Sequence, residues 1–261
     1  MALGADRPMP LDLGGLRVAI SAGAGGIGRV MADSFAACGA KVFVCDLDDQ
    51  ALAGCPHPGM RADVGEVAEA EAFVDAAVTM LGGLDVLVNN AGIAGPTARV
   101  EEVAPEDLTR TLRIDVESMF HCARRAIPAL RAAGGGTIVN LSSAAGRFGY
   151  ALRSPYATAK WGVVGFTKSL AIELGPDRIR CNAILPGLVA GDRIRRVIEA
   201  KAQARGVSFA EQERVYLEAS SLRSYVTQHD IANMALYLCS PFGATISGQA
   251  ISVDADMQVL V

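Results

Sequence analysis

Aromatic residues make up only 5% of this 261-residue chain, with a single tryptophan among them. Basic charge is also sparse: 24 Lys and Arg stand against 28 Asp and Glu, the net charge is −4, and no long basic run occurs. That excludes the electrostatic footprint of a nucleic-acid or anionic-lipid binder and directs attention to a small-molecule partner. The six cysteines (Cys38, Cys45, Cys55, Cys122, Cys181, Cys239) contain no C-x-x-C pair, and most sit in apolar stretches where a reduced thiol packs as a small hydrophobe. His57, His121 and His229 are far apart and lack metal-ligand spacing, so no metal site is expected.

Targeting signals are missing too. The opening MALGADRPMPLDLGG has no basic segment followed by an apolar run and a cleavage site, so no secretory signal is expected. The stretch from Ile231 to Val253 carries no charge, but Pro241, Gly243 and Gly248 interrupt it, and a buried helix, turn and strand fit it better than a membrane span. The expectation is a soluble, cytoplasmic protein.

What the chain does have is apolar material: at 51% hydrophobic it can bury a large core as one domain over residues 1–261. Short β-rich runs occur at 17–21, 41–45, 85–89, 137–141, 179–184 and 250–253. Between them, helical spacing of apolar residues predicts helices over 26–38, 66–81, 105–131 and 154–174. Strands without strict alternation, separated by helices, predict an α/β fold: a doubly wound, Rossmann-like parallel sheet covered on both faces. A charged, helical-looking insertion at about 188–222 could form a lid over a site at the strand ends.

Two stretches carry chemistry. In Tyr156-Ala-Thr-Ala-Lys160 the phenol and the ammonium are four residues apart and share one helix face, where the cation favours the ionised phenol. With Ser143 thirteen residues upstream, a hydroxyl, a phenol and an ammonium could move one proton together. The neighbouring Ser142 points elsewhere, because successive strand-end residues do, and is assigned to structure. The second stretch is the loop Ala22-Gly23-Ala24-Gly25-Gly26-Ile27-Gly28, set between a strand and a helix, where glycines let backbone amides approach a pyrophosphate. The next strand ends at Asp46, eighteen residues beyond Gly28 and followed by Leu47, Asp48 and Asp49. Its carboxylate can accept from an adenosine ribose and would repel a 2′-phosphate, and the glycine loop offers no Arg or Lys before Arg29, so NAD is favoured over NADP.

With these features the chain resembles a short-chain dehydrogenase/reductase over nearly its whole length. The family pattern T-G-x-x-x-G-x-G stands here as Ser21-Ala22-x-x-x-Gly26-x-Gly28, with Ala22 replacing a glycine; its backbone should avoid strongly positive φ, leaving Gly23 to take the tight turn. Further matches are Asp63-Val64, Asn89-Asn90-Ala91-Gly92 and Pro186-Gly187. The resemblance implies that Asp63 and Val64 contact adenine, that Asn90, Ala91 and Gly92 line the cofactor, and that Pro186 and Gly187, with Val189 beyond, border the nicotinamide. It also implies Tyr156 as general acid/base, Lys160 as its activator and ribose ligand, Ser143 as the hydrogen-bond partner of the substrate oxygen, and a homo-oligomer, commonly a tetramer, paired through helices at 105–131 and 154–174.

One departure stands out: relatives usually carry an asparagine where this chain has Asp115. A carboxylate only accepts hydrogen bonds and attracts the Lys160 ammonium. Three readings stay open: an altered alkaline limb of activity, a silent change if the backbone carbonyl does the work, or a simple turn cap. Arg147, Arg153 and Arg193 lie around the catalytic segment and the start of the insertion, as do Arg195 and Arg196; they either form a solvated charged face or meet a polar, anionic substrate. The expected activity is reversible NAD-dependent oxidation of a secondary alcohol of a sugar, polyol or hydroxy acid to a ketone or lactone. The alternatives are ketone reduction as the physiological direction, or a dinucleotide-binding regulator without turnover.

Overall fold

Strand residues alternate between two apolar surfaces, and this divides the core into two layers. Ala19 and Leu87 face one layer, while Val18, Ile20, Val86 and Val88 face the other. The strands are β1 Arg17–Ser21, β2 Lys41–Asp46, β3 Gly59–Arg61, β4 Val86–Asn89, β5 Gly136–Leu141, β6 Ile179–Pro186 and β7 Ala250–Val253. They form one parallel sheet in the order β3-β2-β1-β4-β5-β6-β7. The computed structural model describes Arg7 and residues 9–261; the side chains of Arg193, Ala200 and Ala204 lie outside the described set, as do residues 1–6 and Pro8 of the opening segment read for a secretory signal.

The helices are α1 Gly26–Ala37, α2 Asp49–Ala53, α3 Val67–Leu81, α4 Pro105–Leu112, α5 Ser118–Ala132, α6 Ser154–Leu174, α7 Asp192–Arg205, α8 Phe209–Glu218 and α9 Gln228–Cys239. Residues of α3, α5 and α6 fill the first layer through Phe73, Val74, Met119, Leu130 and Val163. Those of α1 and α9 fill the second through Met31, Phe35, Ile231 and Leu236. This is the doubly wound arrangement the alternation of strands and helices predicts. No helix among the described residues is long and apolar enough to cross a membrane.

Two details differ from expectation. The edge strand β3 is three residues long, GMR, too short and too poor in β-branched residues to leave a pattern. The helix expected over 105–131 is broken by a π-helical turn, Arg113–Glu117, whose extra residue per turn brings Asp115 fully into the interior. The insertion folds as α7 and α8 around a small core of their own, in which Leu188, Ile198, Tyr216 and Met257 pack on Ala144.

Candidate active site

Because every strand runs the same way, all their C-terminal ends share one edge, and the winding reverses there between β1 and β4. A crevice must open at such a switch point. A cavity of about 920 Å³ occupies it, running from Asp46 and Asp48 past Gly25, Gly26 and Ile27 to Ser143, Tyr156 and Lys160, and closed by residues of α7, α8 and the C-terminal segment.

At the nucleotide end, the turn after β1 differs from the sequence expectation. Ala22 itself adopts a left-handed backbone, φ 50°, and Gly23 does not have positive φ. Asn90 makes this possible: its Nδ2 donates to Ser21 O at 3.0 Å and Ala22 O at 2.9 Å, holding the carbonyls in the strained turn. Gly23 is needed for closeness instead, since a Cβ there would meet Val44 Cγ1 at 2.7 Å. Gly26 has φ 53° and no heavy atom near its virtual Cβ, so the loop leaves open space beside the start of α1.

Asp46 is held by three backbone amides: Oδ2 accepts from Ala24 N at 3.1 Å, and Oδ1 from Leu47 N at 2.8 Å and Asp48 N at 3.2 Å. A carboxylate has about four acceptor positions, so about one remains for a ligand hydroxyl. Arg61 is its register partner on β3, an exposed guanidinium 4.0 Å from Asp49 that the sequence reading did not place at this edge. Glycine-lined space, an oriented carboxylate and a helix start on one crevice fit a dinucleotide.

Several motif residues stand behind this wall. Ser21 is buried, and its Oγ accepts from Asn90 N at 3.0 Å and Ala91 N at 3.1 Å, joining the ends of β1 and β4. Gly28 lies under Ala22 O and Asn90 Nδ2. Asp63 closes a turn by accepting from Gly65 N at 2.9 Å, and Val64 is buried in the core layer of α3, so neither lines the cavity. Leu47 is exposed beside the cavity wall, which does not include it. Pro186, Gly187 and Val189 line the wall beyond β6, where a Cβ on Gly187 would strike Asp254 Cα at 2.6 Å.

The chemical end is built by the C-terminus of β5 and the first turns of α6. Ser142 and Ser143 both line the cavity, but Ser142 Oγ is used by the scaffold, donating to Lys160 O at 2.8 Å, while Ser143 Oγ accepts from Ala145 N at 3.1 Å. Lys160 is 4% exposed, donates from Nζ to Leu141 O at 3.2 Å and lies 5.6 Å from the Tyr156 ring centroid. Asp115 Oδ2 approaches it to 3.5 Å, while Oδ1 accepts from Ile93 N at 2.7 Å. Oδ2 is buried without a hydrogen-bond partner, so the carboxylate's second oxygen faces only the ammonium. Gly92 leaves room for this pair: its Cβ would come within 3.2 Å of Lys160 Nζ and 3.3 Å of Asp115 Oδ1.

The arginines divide. Arg147 is directed away, donating to Ser252 Oγ at 3.1 Å and Met257 O at 3.2 Å, and it does not line the cavity. Arg153 does line it, buried between Tyr150 and Tyr156. Arg195 pairs with Glu199 at 2.9 Å, Arg196 lines the cavity, and the Arg193 side chain lies outside the described set. Sequence reasoning missed Tyr150, Tyr216 and the segment Val259–Val261, which line the cavity, and Lys201, which stands beside both tyrosines. Only tertiary packing gathers them, although a tyrosine within a charged helix such as α8 marks a buried face.

Comparison with known proteins agrees with this fold. Residues 22–257 match the family model described as enoyl-(acyl carrier protein) reductase. D-beta-hydroxybutyrate dehydrogenase of Cupriavidus necator is 32% identical over 252 residues, covering 93% of this chain and 97% of that one. Actinorhodin polyketide ketoreductase, solved with NADPH, superposes with a TM-score of 0.86 at 32% identity, over 92% of this chain and 96% of that one. Xylitol dehydrogenase, solved with NAD+, gives a TM-score of 0.86 at 25% identity, over 92% of this chain and 98% of that one. The chain belongs to the short-chain dehydrogenase/reductase family of oxidoreductases, which bind nicotinamide dinucleotides.

Proposed function

We propose that this protein is an NAD-dependent dehydrogenase that reversibly oxidises a secondary alcohol of a small polar substrate to a ketone, or a sugar's anomeric carbinol to a lactone. The observation that carries the reading is one continuous crevice in which the Asp46 carboxylate lies at one end and Ser143, Tyr156 and Lys160 at the other. The glycine loop and Asp46 would hold the adenosine and pyrophosphate, and Lys160, Pro186, Gly187 and Val189 the nicotinamide half. When bound, the nicotinamide supplies the hydride acceptor.

Tyr156 takes the hydroxyl proton, because charge would otherwise build on the carbinol oxygen as the carbon loses hydride. Lys160, whose ammonium lies 5.6 Å from the Tyr156 ring centroid, is itself fixed by Leu141 O and Asp115. Ser143, at the cavity wall, orients the substrate oxygen by hydrogen bonding. Relatives named for hydroxybutyrate and xylitol dehydrogenation support CH–OH chemistry.

For the cofactor, the Asp46 charge favours an unphosphorylated ribose, whereas Arg61 on the adjoining strand weighs the other way. Titration with both dinucleotides decides this: we expect NAD to bind at least about tenfold more tightly, a 1.4 kcal/mol preference, and equal or tighter NADP binding refutes it. Turnover is tested with NAD across polyols, sugars and hydroxy acids before and after Tyr156→Phe. The variant should lose about 10²- to 10⁴-fold in kcat while still binding NAD; dinucleotide binding without turnover on any substrate would favour a regulator.

A further inference from the structure

We infer that the substrate carries an oxyanion, and that Arg153 receives it. This deepens the dehydrogenase reading and rests on it for the position of the reacting hydroxyl. Arg153 precedes α6 as its N-cap residue, is 9% exposed and lines the cavity. Of its five N–H groups, one on Nη2 donates to Ala94 O at 2.6 Å, and the buried Nε has no partner. Its guanidinium carbon lies 5.2 Å from the Tyr150 ring centroid and 5.1 Å from that of Tyr156.

Lys201 reaches the same place from α7. Its Nζ donates to the main-chain oxygen of Val261 at 2.6 Å and stands 5.7 and 5.3 Å from the ring centroids of Tyr150 and Tyr216. Tyr150 therefore has a cation near it from each element. Burial, together with the charges of Arg153 and Arg205, holds the Lys201 ammonium below the ordinary lysine range.

What marks Arg153 is that it is buried in the cavity wall with no counter-charge, whereas Lys201 already meets the oxygen of the last residue, Val261. Arg17, Arg29, Arg113, Arg124, Arg125 and Arg131 each meet a carboxylate. Among the described residues, no acidic side chain lies within ion-pair distance of Arg153 or Lys201. Asp46 and Asp48 belong to the nucleotide end, and Asp192 is nine residues before Lys201 on α7, about 13 Å along the helix axis.

Aromatic faces offset part of the cost of burying this guanidinium, but an oxyanion offsets far more. Carboxylate, sulfonate and phosphonate all fit a guanidinium fork. The 5.1 Å between the guanidinium and the Tyr156 ring requires the anion and the carbinol to belong to one short molecule, such as a hydroxy acid of a few carbons.

The test titrates the protein–NADH complex with propionate, methanesulfonate, methylphosphonate and the neutral propionamide, following nicotinamide fluorescence. At least one anion should saturate, with propionamide about tenfold weaker or worse, and the three anions rank the carboxylate against the sulfonate and phosphonate. Arg153→Met should lower the anion-to-amide ratio of affinities by about fivefold or more, and Arg153→Lys, which keeps a charge but loses the fork, should lower it by less. Equal binding of propionamide and all three anions overturns the inference, as does an unchanged ratio in both Arg153→Met and Arg153→Lys. If NADH itself does not bind, the dinucleotide reading fails separately, and the same anion and amide comparison is read from the melting temperature of the protein alone.

Discussion

Two glycines of the first loop, three residues apart, should separate folding from dinucleotide binding. At Gly28 an added Cβ would lie 2.1 Å from Ala22 O and 2.5 Å from Asn90 Nδ2, where ordinary contacts begin near 3.4 Å. Gly28→Ala must therefore push the Ala22 carbonyl back by more than 1 Å and break or bend the Asn90 hydrogen bonds to Ala22 O and Ser21 O. Two lost bonds at about 1 kcal/mol each and about 1–3 kcal/mol of overpacking give a loss of about 3–5 kcal/mol. For a chain of this size that lowers Tm by about 6–20 °C. Gly25 is the control: its backbone (φ −139°, ψ 166°) suits alanine, and nothing lies within 4 Å of the added methyl. Gly25→Ala should keep Tm or raise it by up to about 4 °C. That methyl projects into the space we assign to the pyrophosphate, and an overlap worth about 1–3 kcal/mol weakens NADH binding about 5- to 150-fold. Thermal melts and calorimetric NADH titrations on both variants suffice. Wild-type NADH affinity in Gly25→Ala would refute the placement of the dinucleotide against this loop, and a wild-type Tm in Gly28→Ala would refute the packing argument.

Further outcomes follow from the charged pairs. Asp115→Asn keeps an acceptor for Ile93 N but removes the negative charge 3.5 Å from Lys160 Nζ, so turnover should persist with a displaced alkaline limb; pH–rate profiles that superimpose on those of the parent protein remove the idea. Burial pushes the Asp85 carboxyl up, yet its hydrogen bonds with Arg17 and the Arg17 charge outweigh this and hold it below the ordinary carboxylate range. With the folded value below the unfolded one, near 3.9, the pair's contribution is complete above that pH and is lost as pH falls through the folded value. Asp85→Asn should thus lower Tm at pH 7 and flatten the Tm decline below about pH 4, and parallel acid melts would count against the pair. Phe120, Trp161 and Ile172 are exposed on α5 and α6, so we expect a homo-oligomer; a monomer at all concentrations in sedimentation equilibrium would refute that.

Local periodicity explains how much of this molecule could be read before any coordinates. Six strands and the long helices announce themselves because both sides of a parallel sheet are buried, leaving apolar runs such as VAI and VLV. Tyr156 and Lys160 are legible because one helix places them, and Asp46 because it ends a strand at a set distance from the glycine loop. The strand β3 is silent, since three residues held by one neighbour need no pattern of their own. The left-handed Ala22 is silent for a different reason: the energy that holds it comes from an Asn90 amide 68 residues away.

The same distinction separates the two ends of the crevice. Groups placed by a single element lie in a fixed local spacing, and that is where sequence reasoning succeeds. Around Arg153, Tyr150 comes from the loop before α6, Lys201 from α7, Tyr216 from α8 and Val261 from the C-terminal segment. No spacing connects these residues, because four separately packed pieces of chain meet there. Arg147 illustrates the converse: it stands between Ser143 and Tyr156 in sequence, yet β7 captures its guanidinium through Ser252. Proximity along the chain therefore predicts where Ser143, Tyr156 and Lys160 lie, since one strand end and one helix carry them, and fails for the wall around Arg153, which depends on how the insertion packs over them.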